Sequence, residues 1–144
     1  MDRLDLTALT PSEFGALHRL NADVEQDLHA AGLDPRLVEL VRLRASHLNG
    51  CEFCLDLHTR RAREHGESEQ RLRAVADGPD SAAFGADERA ALLLADSITR
   101  LDGVPDEDYR PAREHFTDEQ LAGLVWTVSL INVYNRLAVA TSSS

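Results

Sequence analysis

The sequence predicts an all-α protein. Alanine, leucine, arginine and glutamate fill most of its segments, and these residues favour helices. Apolar side chains recur at helical spacing, while no stretch shows the period-two alternation between turns that a strand would need. A chain of 144 residues with 43% hydrophobic side chains is long enough to bury one core. We therefore expect a single domain over residues 1–144, built as a bundle of about six to seven helices.

Proline marks the start of the first two predicted helices. Thr10-Pro11-Ser12-Glu13 has the pattern of a capping box with proline in the first turn, which predicts a helix from residue 11 to about residue 32. Asp34-Pro35 opens a second helix that Asn49-Gly50 ends. Apolar side chains cover most of the circumference of this second helix, as is typical of a central helix.

The later helices are bounded by glycine, proline or capping residues. They are predicted over residues 51–66, 68–76, about 90–101 and 117–140. Residues 106–115 also favour a helix, but Pro111 predicts a kink or a break there. The last helix opens with a second capping box at Thr117, and we place its Trp126 in the core.

Charge and composition exclude several functions. The chain carries 25 carboxylates against 15 basic residues, and its formal net charge of -10 opposes binding to nucleic acid or to an anionic membrane. All the basic residues are arginine, which excludes Schiff-base and P-loop lysine chemistry. The first residues lack the pattern of a secretion signal, and the longest apolar run falls short of the ~20 residues of a bilayer span. We expect a cytoplasmic protein.

The two cysteines of the chain form a Cys51-x-x-Cys54 motif, with His58 four residues further on. On a helix, at ~100° per residue, these three side chains fall within about 60° of one another. In a reducing compartment, a single pair of cysteines is more often catalytic or metal-binding than structural. The first turn of a helix favours the thiolate form of a cysteine. Cysteines three residues apart can also close into a disulfide, so one sulfur can attack a substrate and the other can then form the disulfide with it.

Two side chains near the motif can carry protons. His58 lies one turn beyond Cys54 and can accept or relay a proton. Glu39 is the one carboxylate within the second predicted helix, where burial would raise its pKa and suit it to a proton shuttle. A simple ion pair on the surface, between Glu39 and Arg42 or another arginine, is the plainer alternative. Two cysteines, a histidine and a glutamate are also acceptable zinc ligands, although structural zinc usually draws on loops rather than a helix face.

The pattern of Glu39, eleven residues, Cys51-x-x-Cys54 and His58 resembles that of the AhpD-like alkylhydroperoxidases of the carboxymuconolactone decarboxylase superfamily. The similarity extends over about residues 12–140, through the segments 43–46, 49–51, 58–59, 66–72, 88–92 and 131–137. It implies an all-helical subunit of a trimer or hexamer. It also implies that the cysteine pair reduces a hydroperoxide and is regenerated by a dithiol reductant, with no metal, haem or flavin in the chain.

The resemblance also implies a role for each residue of the motif. Cys54 corresponds to the peroxidatic cysteine and Cys51 to the resolving one, while Glu39 and His58 correspond to the relay that removes the Cys54 proton. Helix-terminus electrostatics alone would favour Cys51 as the more acidic thiol. We follow the resemblance, because a base one turn away acts specifically on Cys54.

This chain departs from the family pattern at Phe53, where the best-known member has a second histidine between the cysteines. His47 and His65 are candidate substitutes. The polar residues of the last helix, Asn132, Asn135 and Arg136, could form a hydrogen-bonded helix end, a subunit contact or support for the site. Two other functions stay open: lactone decarboxylation without redox chemistry, and redox sensing without turnover.

Overall fold

The computed structural model describes residues 1–142, which form eight α-helices and no strands. The helices are α1 (Leu6–Leu9), α2 (Pro11–Ala30), α3 (Pro35–Asn49), α4 (Glu52–Glu64), α5 (Glu69–Asp77), α6 (Ala86–Arg100), α7 (Asp106–His115) and α8 (Asp118–Thr141). The predicted all-α class is confirmed. The expected number of six to seven helices is too low by at least one over the part of the chain described.

The unpredicted helix is α1, a single turn. Asp5 caps it, because its Oδ1 accepts hydrogen bonds from the backbone amides of Thr7 at 3.1 Å and Ala8 at 3.2 Å. The hydroxyl of Thr10 donates to the Leu6 carbonyl at 2.6 Å and makes no cap for α2. The capping box predicted at Thr10 is therefore wrong, although α2 does begin at Pro11.

Two other predicted helix starts are confirmed, whereas α6 begins at Ala86, about four residues before the predicted start. The Asp34 side chain accepts from the Arg36 amide at 2.9 Å at the start of α3. At the start of α8, Thr117 and Gln120 form the reciprocal hydrogen bonds of a capping box, at 3.2 and 3.1 Å. Of the kink or break predicted at Pro111, the break is wrong: α7 runs through Pro111 without interruption, and it packs against α6.

Helix α3 is central, as its apolar circumference predicts. Residues 37–46 are all buried, and the helix packs against α4, α5, α6 and α8. Three charged residues, Glu39, Arg42 and Arg44, are consequently buried, and each is paired with an opposite charge. Arg44 binds Asp96 of α6 through two contacts, at 2.5 and 3.2 Å.

The long helix α8 packs on α2, α3 and α6. Trp126 lies on its outer face with 52% of its surface exposed, so the prediction that it belongs to the core is wrong. Because α8 is apolar on nearly every side, its sequence pattern does not indicate which side faces inward. No helix within residues 1–142 is both long enough and apolar enough to cross a membrane.

Candidate functional site

The two cysteines lie where α3 turns into α4. Gly50 ends α3 in the left-handed conformation, with φ of 65°, and Cys51 follows at once as the N-cap of α4. Cys54 is the third residue of that helix, and the two Cα atoms are 5.3 Å apart. The sulfurs are joined in a disulfide, and both side chains are buried. The prediction that this pair can close with little backbone movement agrees with the geometry.

A network of amides fixes the turn before Cys51. The Asn49 amide group donates to Oδ1 of Asn132 at 2.8 Å and to Oδ1 of Asn135 at 3.0 Å. Asn135 in turn donates to the Ser46 hydroxyl at 3.1 Å, and Arg136 donates to Asn132 Oδ1 at 2.8 Å. The polar residues of α8 thus anchor the end of α3 and support the turn that carries the cysteines.

The structure brings Glu39 and His58 together, although they are 19 residues apart. Glu39 is 3% exposed, and its Oε2 lies 2.7 Å from His58 Nδ1. Its other oxygen, Oε1, accepts from Arg42 Nη1 at 2.9 Å. The Arg42 guanidinium also pairs with Glu25 at 2.6 Å. The ion pair with Arg42 considered as the plainer alternative for Glu39 therefore exists, but it is buried and lies beside a direct hydrogen bond to His58.

The charge state of Glu39 differs from the expectation. Burial raises the pKa of this carboxyl, but its hydrogen bond with His58 and the nearby charge of Arg42 lower the pKa by more. The net result is a pKa below the ordinary value of 4.5, so the predicted upward shift is wrong. Glu39 is an ionised carboxylate at neutral pH. It can hold and charge-stabilise His58 rather than exchange a proton near pH 7.

Cys54 and His58 open into the same cavity, which has a volume of about 290 Å³. Cys51 and Glu39 are not part of its wall. Phe53 also lines it, with 69% of its surface exposed. The apolar part of the wall comes from the N-terminal segment and from α2, α4 and α8, through Leu4, Leu6, Phe14, Leu57, Ile131 and Leu137.

Sequence reasoning assigned no role to two polar residues of this cavity, His18 of α2 and Tyr134 of α8. The Tyr134 hydroxyl lies 2.7 Å from His18 Nδ1, and the two rings stack with centroids 5.7 Å apart. The residues are 116 positions apart, and no spacing pattern links them. Arg61 also lines the cavity and is only partly exposed.

The two candidate substitute histidines lie elsewhere. His65 is exposed and lines a separate cavity of about 700 Å³ that also contacts Glu39, Arg42 and Glu25. His47 is half-buried near the end of α3, where burial and the charge of Arg44 lower its pKa. Neither belongs to the wall that contains Cys54.

The zinc alternative requires the four motif side chains to converge. In the structure Cys51 bonds to Cys54, whereas Glu39 bonds to His58. Within residues 1–142, no group of three or more histidine, cysteine, aspartate or glutamate side chains is arranged to hold a metal ion.

Known proteins resemble this chain over most of its length. The sequence profile of the Carboxymuconolactone decarboxylase family matches residues 15–97. The uncharacterized protein YdfG of Bacillus subtilis (strain 168) is 36% identical over 124 residues, which are 85% of this chain and 84% of YdfG. The uncharacterized protein YnjA of Escherichia coli (strain K12) is 32% identical over 105 residues, which are 72% of this chain and 58% of YnjA.

Solved structures share the fold. A protein of unknown function from Agrobacterium tumefaciens, described as a putative antioxidant defence protein AhpD, superposes with a TM-score of 0.88 at 33% identity, over 100% of this chain and 97% of that chain. An uncharacterized peroxidase-related protein from Ralstonia eutropha JMP134 superposes with a TM-score of 0.81 at 24% identity, over 96% and 74% of the two chains. The chain therefore belongs to the carboxymuconolactone decarboxylase family, as an AhpD-like member.

Proposed function

We propose that the protein is a thiol-dependent peroxidase that reduces hydroperoxides through a dithiol/disulfide cycle of Cys51 and Cys54. One observation carries the proposal: Cys54 shares a cavity with His58, and His58 is held by the ionised Glu39. A reactive sulfur, a base and an orienting carboxylate together form the usual arrangement of an activated nucleophile. The AhpD-like relatives support the same reaction class.

The first step is proton removal from Cys54. When His58 donates its Nδ1 hydrogen to Glu39, its second nitrogen, Nε2, is the basic one. Cys54 and His58 are four residues apart on α4 and therefore share a face of the helix. His58 takes the thiol proton, and the negative charge of Glu39 stabilises the imidazolium that forms. The N-terminal turn of α4 stabilises the Cys54 thiolate.

The second step consumes the hydroperoxide. The Cys54 thiolate attacks the terminal oxygen, so that an S–O bond forms as the O–O bond breaks, giving a sulfenic acid and an alcohol after protonation. Cys51 then attacks the sulfenic sulfur and releases water, which leaves the disulfide. A dithiol donor reduces this disulfide and completes the cycle. We assign the attack to Cys54 because it lines the cavity and Cys51 does not.

Turnover distinguishes this proposal from its two rivals. Reduced protein supplied with dithiothreitol should consume many equivalents of tert-butyl hydroperoxide, and Cys54→Ser should abolish this consumption. A redox sensor whose disulfide the dithiol does not rapidly reduce would stop after about one equivalent of peroxide per disulfide. A lactone decarboxylase does not need a pair of redox-active cysteines. Its decarboxylase activity would survive Cys54→Ser, and neither the wild type nor the variant would consume peroxide. Either of these results would contradict the peroxidase assignment.

We also propose that the subunit forms a homo-oligomer, a trimer or hexamer. Trp126 and Val133 support this, because they lie seven residues apart on α8 and are 52% and 42% exposed. A face of this kind on a helix is typical of a subunit contact. Light scattering at micromolar concentration should give the mass of an oligomer, and the mass of one 15.9 kDa chain would contradict the proposal.

A further inference from the structure

We propose that Tyr134 is the general acid that protonates the leaving oxygen when the O–O bond of the hydroperoxide breaks, and that His18 positions its hydroxyl for this task. The inference rests on the proposed peroxidase function and adds a second proton-transfer group to it. His58 and Glu39 serve the attacking sulfur, whereas Tyr134 serves the departing oxygen.

The direction of attack places the leaving oxygen beyond the attacked oxygen, on the side away from the Cys54 sulfur. A thiolate displaces the distal oxygen in line, so sulfur and the two peroxide oxygens are roughly collinear in the transition state. The departing oxygen therefore points away from α4 and into the cavity. The wall of this cavity also includes residues of α2 and α8, among them His18 and Tyr134. An alkoxide is a poor leaving group, and a proton donor on that side would lower its barrier.

Three hydroxyl groups line the cavity, and two of them already donate elsewhere. The Thr7 hydroxyl donates to Asp5 Oδ1 at 2.6 Å. The Thr141 hydroxyl donates to the Leu137 carbonyl at 2.8 Å. The Tyr134 hydroxyl contacts His18 Nδ1. When His18 carries its proton on Nδ1, it donates to the phenol oxygen, and the hydroxyl hydrogen of Tyr134 is free to point into the cavity.

The surroundings of Tyr134 keep it in the acid form. Burial raises the pKa of its phenol, so the group stays protonated at neutral pH and above. The charges of Arg42 and Arg61 lower the same pKa and that of Glu25 raises it, but burial has the largest effect. Tyr134 and His58 line the same cavity. His18 is stacked on the tyrosine ring, and its ring centroid lies 5.9 Å from that of Phe14, so these contacts restrict the position of the phenol oxygen.

Each proton transferred in this step has a donor and an acceptor. The thiol proton of Cys54 moves to His58 and leaves to solvent. The alkoxide takes the hydroxyl proton of Tyr134 and departs as an alcohol. The phenolate is reprotonated from solvent through His18, whose side chain is exposed. The net reaction converts a thiol and a hydroperoxide into a sulfenic acid and an alcohol, with no further oxidant or reductant.

The test compares two oxidants that differ in their leaving group. tert-Butyl hydroperoxide releases an alkoxide that needs a proton, whereas peracetic acid releases acetate, which does not. In stopped-flow reactions with the reduced protein, Tyr134→Phe should slow the reaction with tert-butyl hydroperoxide by about a hundredfold. It should leave the reaction with peracetic acid unchanged. His18→Leu should produce the same selective loss to a smaller extent. Tyr109→Phe, at the other tyrosine of the chain, is the control and should affect neither rate.

Each other result has a definite meaning. Equal losses with both oxidants would show that Tyr134 only shapes the cavity, and an unchanged rate with tert-butyl hydroperoxide would show that it donates no proton. Both results overturn the inference while leaving the peroxidase function in place. If wild-type protein reacts with neither oxidant faster than free cysteine does, the proposed function fails, and this inference fails with it.

Discussion

His58 Nδ1 and Glu39 Oε2 are 2.7 Å apart, and this contact joins α4 to α3. The contact is buried, and the carboxylate is balanced on its other side by Arg42. The hydrogen bond therefore selects one orientation of the imidazole, with its second nitrogen available to a neighbouring group. Cys54, four residues before His58 on the same helix, is that neighbouring group.

Glu39→Gln should slow the reaction of Cys54 with peroxide. The amide has no charge, so it does not stabilise the imidazolium, and it does not select one tautomer of His58. We expect the second-order rate constant at pH 7 to fall roughly tenfold to a hundredfold in single-turnover measurements. Glu52→Gln is the matched control, since Glu52 is an exposed carboxylate in the first turn of α4. Equal losses in both variants would indicate a general charge effect instead.

The same substitution should change the pH dependence of stability. Burial raises the pKa of Glu39, but the hydrogen bond with His58 and the charge of Arg42 bring the folded-state value below 4.5. Near and below pH 4.5 the unfolded state binds more protons at this carboxyl than the folded state does. The contribution of ionised Glu39 to stability is therefore complete above pH 4.5 and is lost as the pH falls through the folded-state pKa.

Urea unfolding of Glu39→Gln and wild type measures this difference. At pH 7 the variant should be less stable by about 1–3 kcal/mol, because Arg42 and His58 lose a charged partner. The gap should narrow at pH values well below 4.5. A gap that stayed constant down to the acid transition would contradict a lowered pKa for Glu39.

The buried ion pair between Arg44 and Asp96 should make a large difference to stability. Asp96→Ala leaves the guanidinium buried with only the carbonyls of Val75 and Ala76 as partners. We expect a loss of about 3–5 kcal/mol in the free energy of unfolding. Adding Arg44→Met removes the unpaired charge. The double variant should therefore lose less stability than the sum of the losses in Asp96→Ala and Arg44→Met. Glu69→Ala, which breaks an exposed pair with Arg63, should change stability little.

Gly123 should not tolerate a methyl group. A Cβ at this position of α8 would lie 2.7 Å from Leu28 Cγ and closer still to one of its methyl groups, at the contact between α8 and α2. Gly123→Ala should therefore cost about 1–3 kcal/mol in thermal or urea unfolding. Gly15→Ala is the matched control in α2, where a Cβ comes within 3.4 Å of the flexible end of Arg19 alone. It should raise stability by roughly 0.5–1 kcal/mol. A stable Gly123→Ala would mean that the two helices separate easily.

The helices and the motif were predictable because their signals are local. Capping at Asp34 and Thr117, the glycine after Asn49 and the apolar surface of α3 each fix structure within a few residues. Helix α1 was missed because four residues are too few to show a periodicity. Trp126 was misplaced because α8 is apolar on almost every side.

The site was predictable only in part, because its chemistry depends on contacts between distant residues. The cysteine pair and His58 share one helix, but the lowered pKa of Glu39 depends on how α3 and α4 pack. Burial alone predicted the opposite shift. His18 and Tyr134 lie on helices from opposite ends of the chain, and only the fold places them on one cavity wall.

The measurement that decides the assignment of Cys54 as the attacking sulfur is trapping of the sulfenic acid in single-cysteine variants. Reduced Cys51→Ser and Cys54→Ser would each be mixed with one equivalent of tert-butyl hydroperoxide and with dimedone, and the adduct located by mass spectrometry. We predict a rapid adduct on Cys54 in Cys51→Ser, and a reaction no faster than that of free cysteine in Cys54→Ser. A rapid adduct on Cys51 in Cys54→Ser, with none on Cys54 in Cys51→Ser, would contradict the proposed roles.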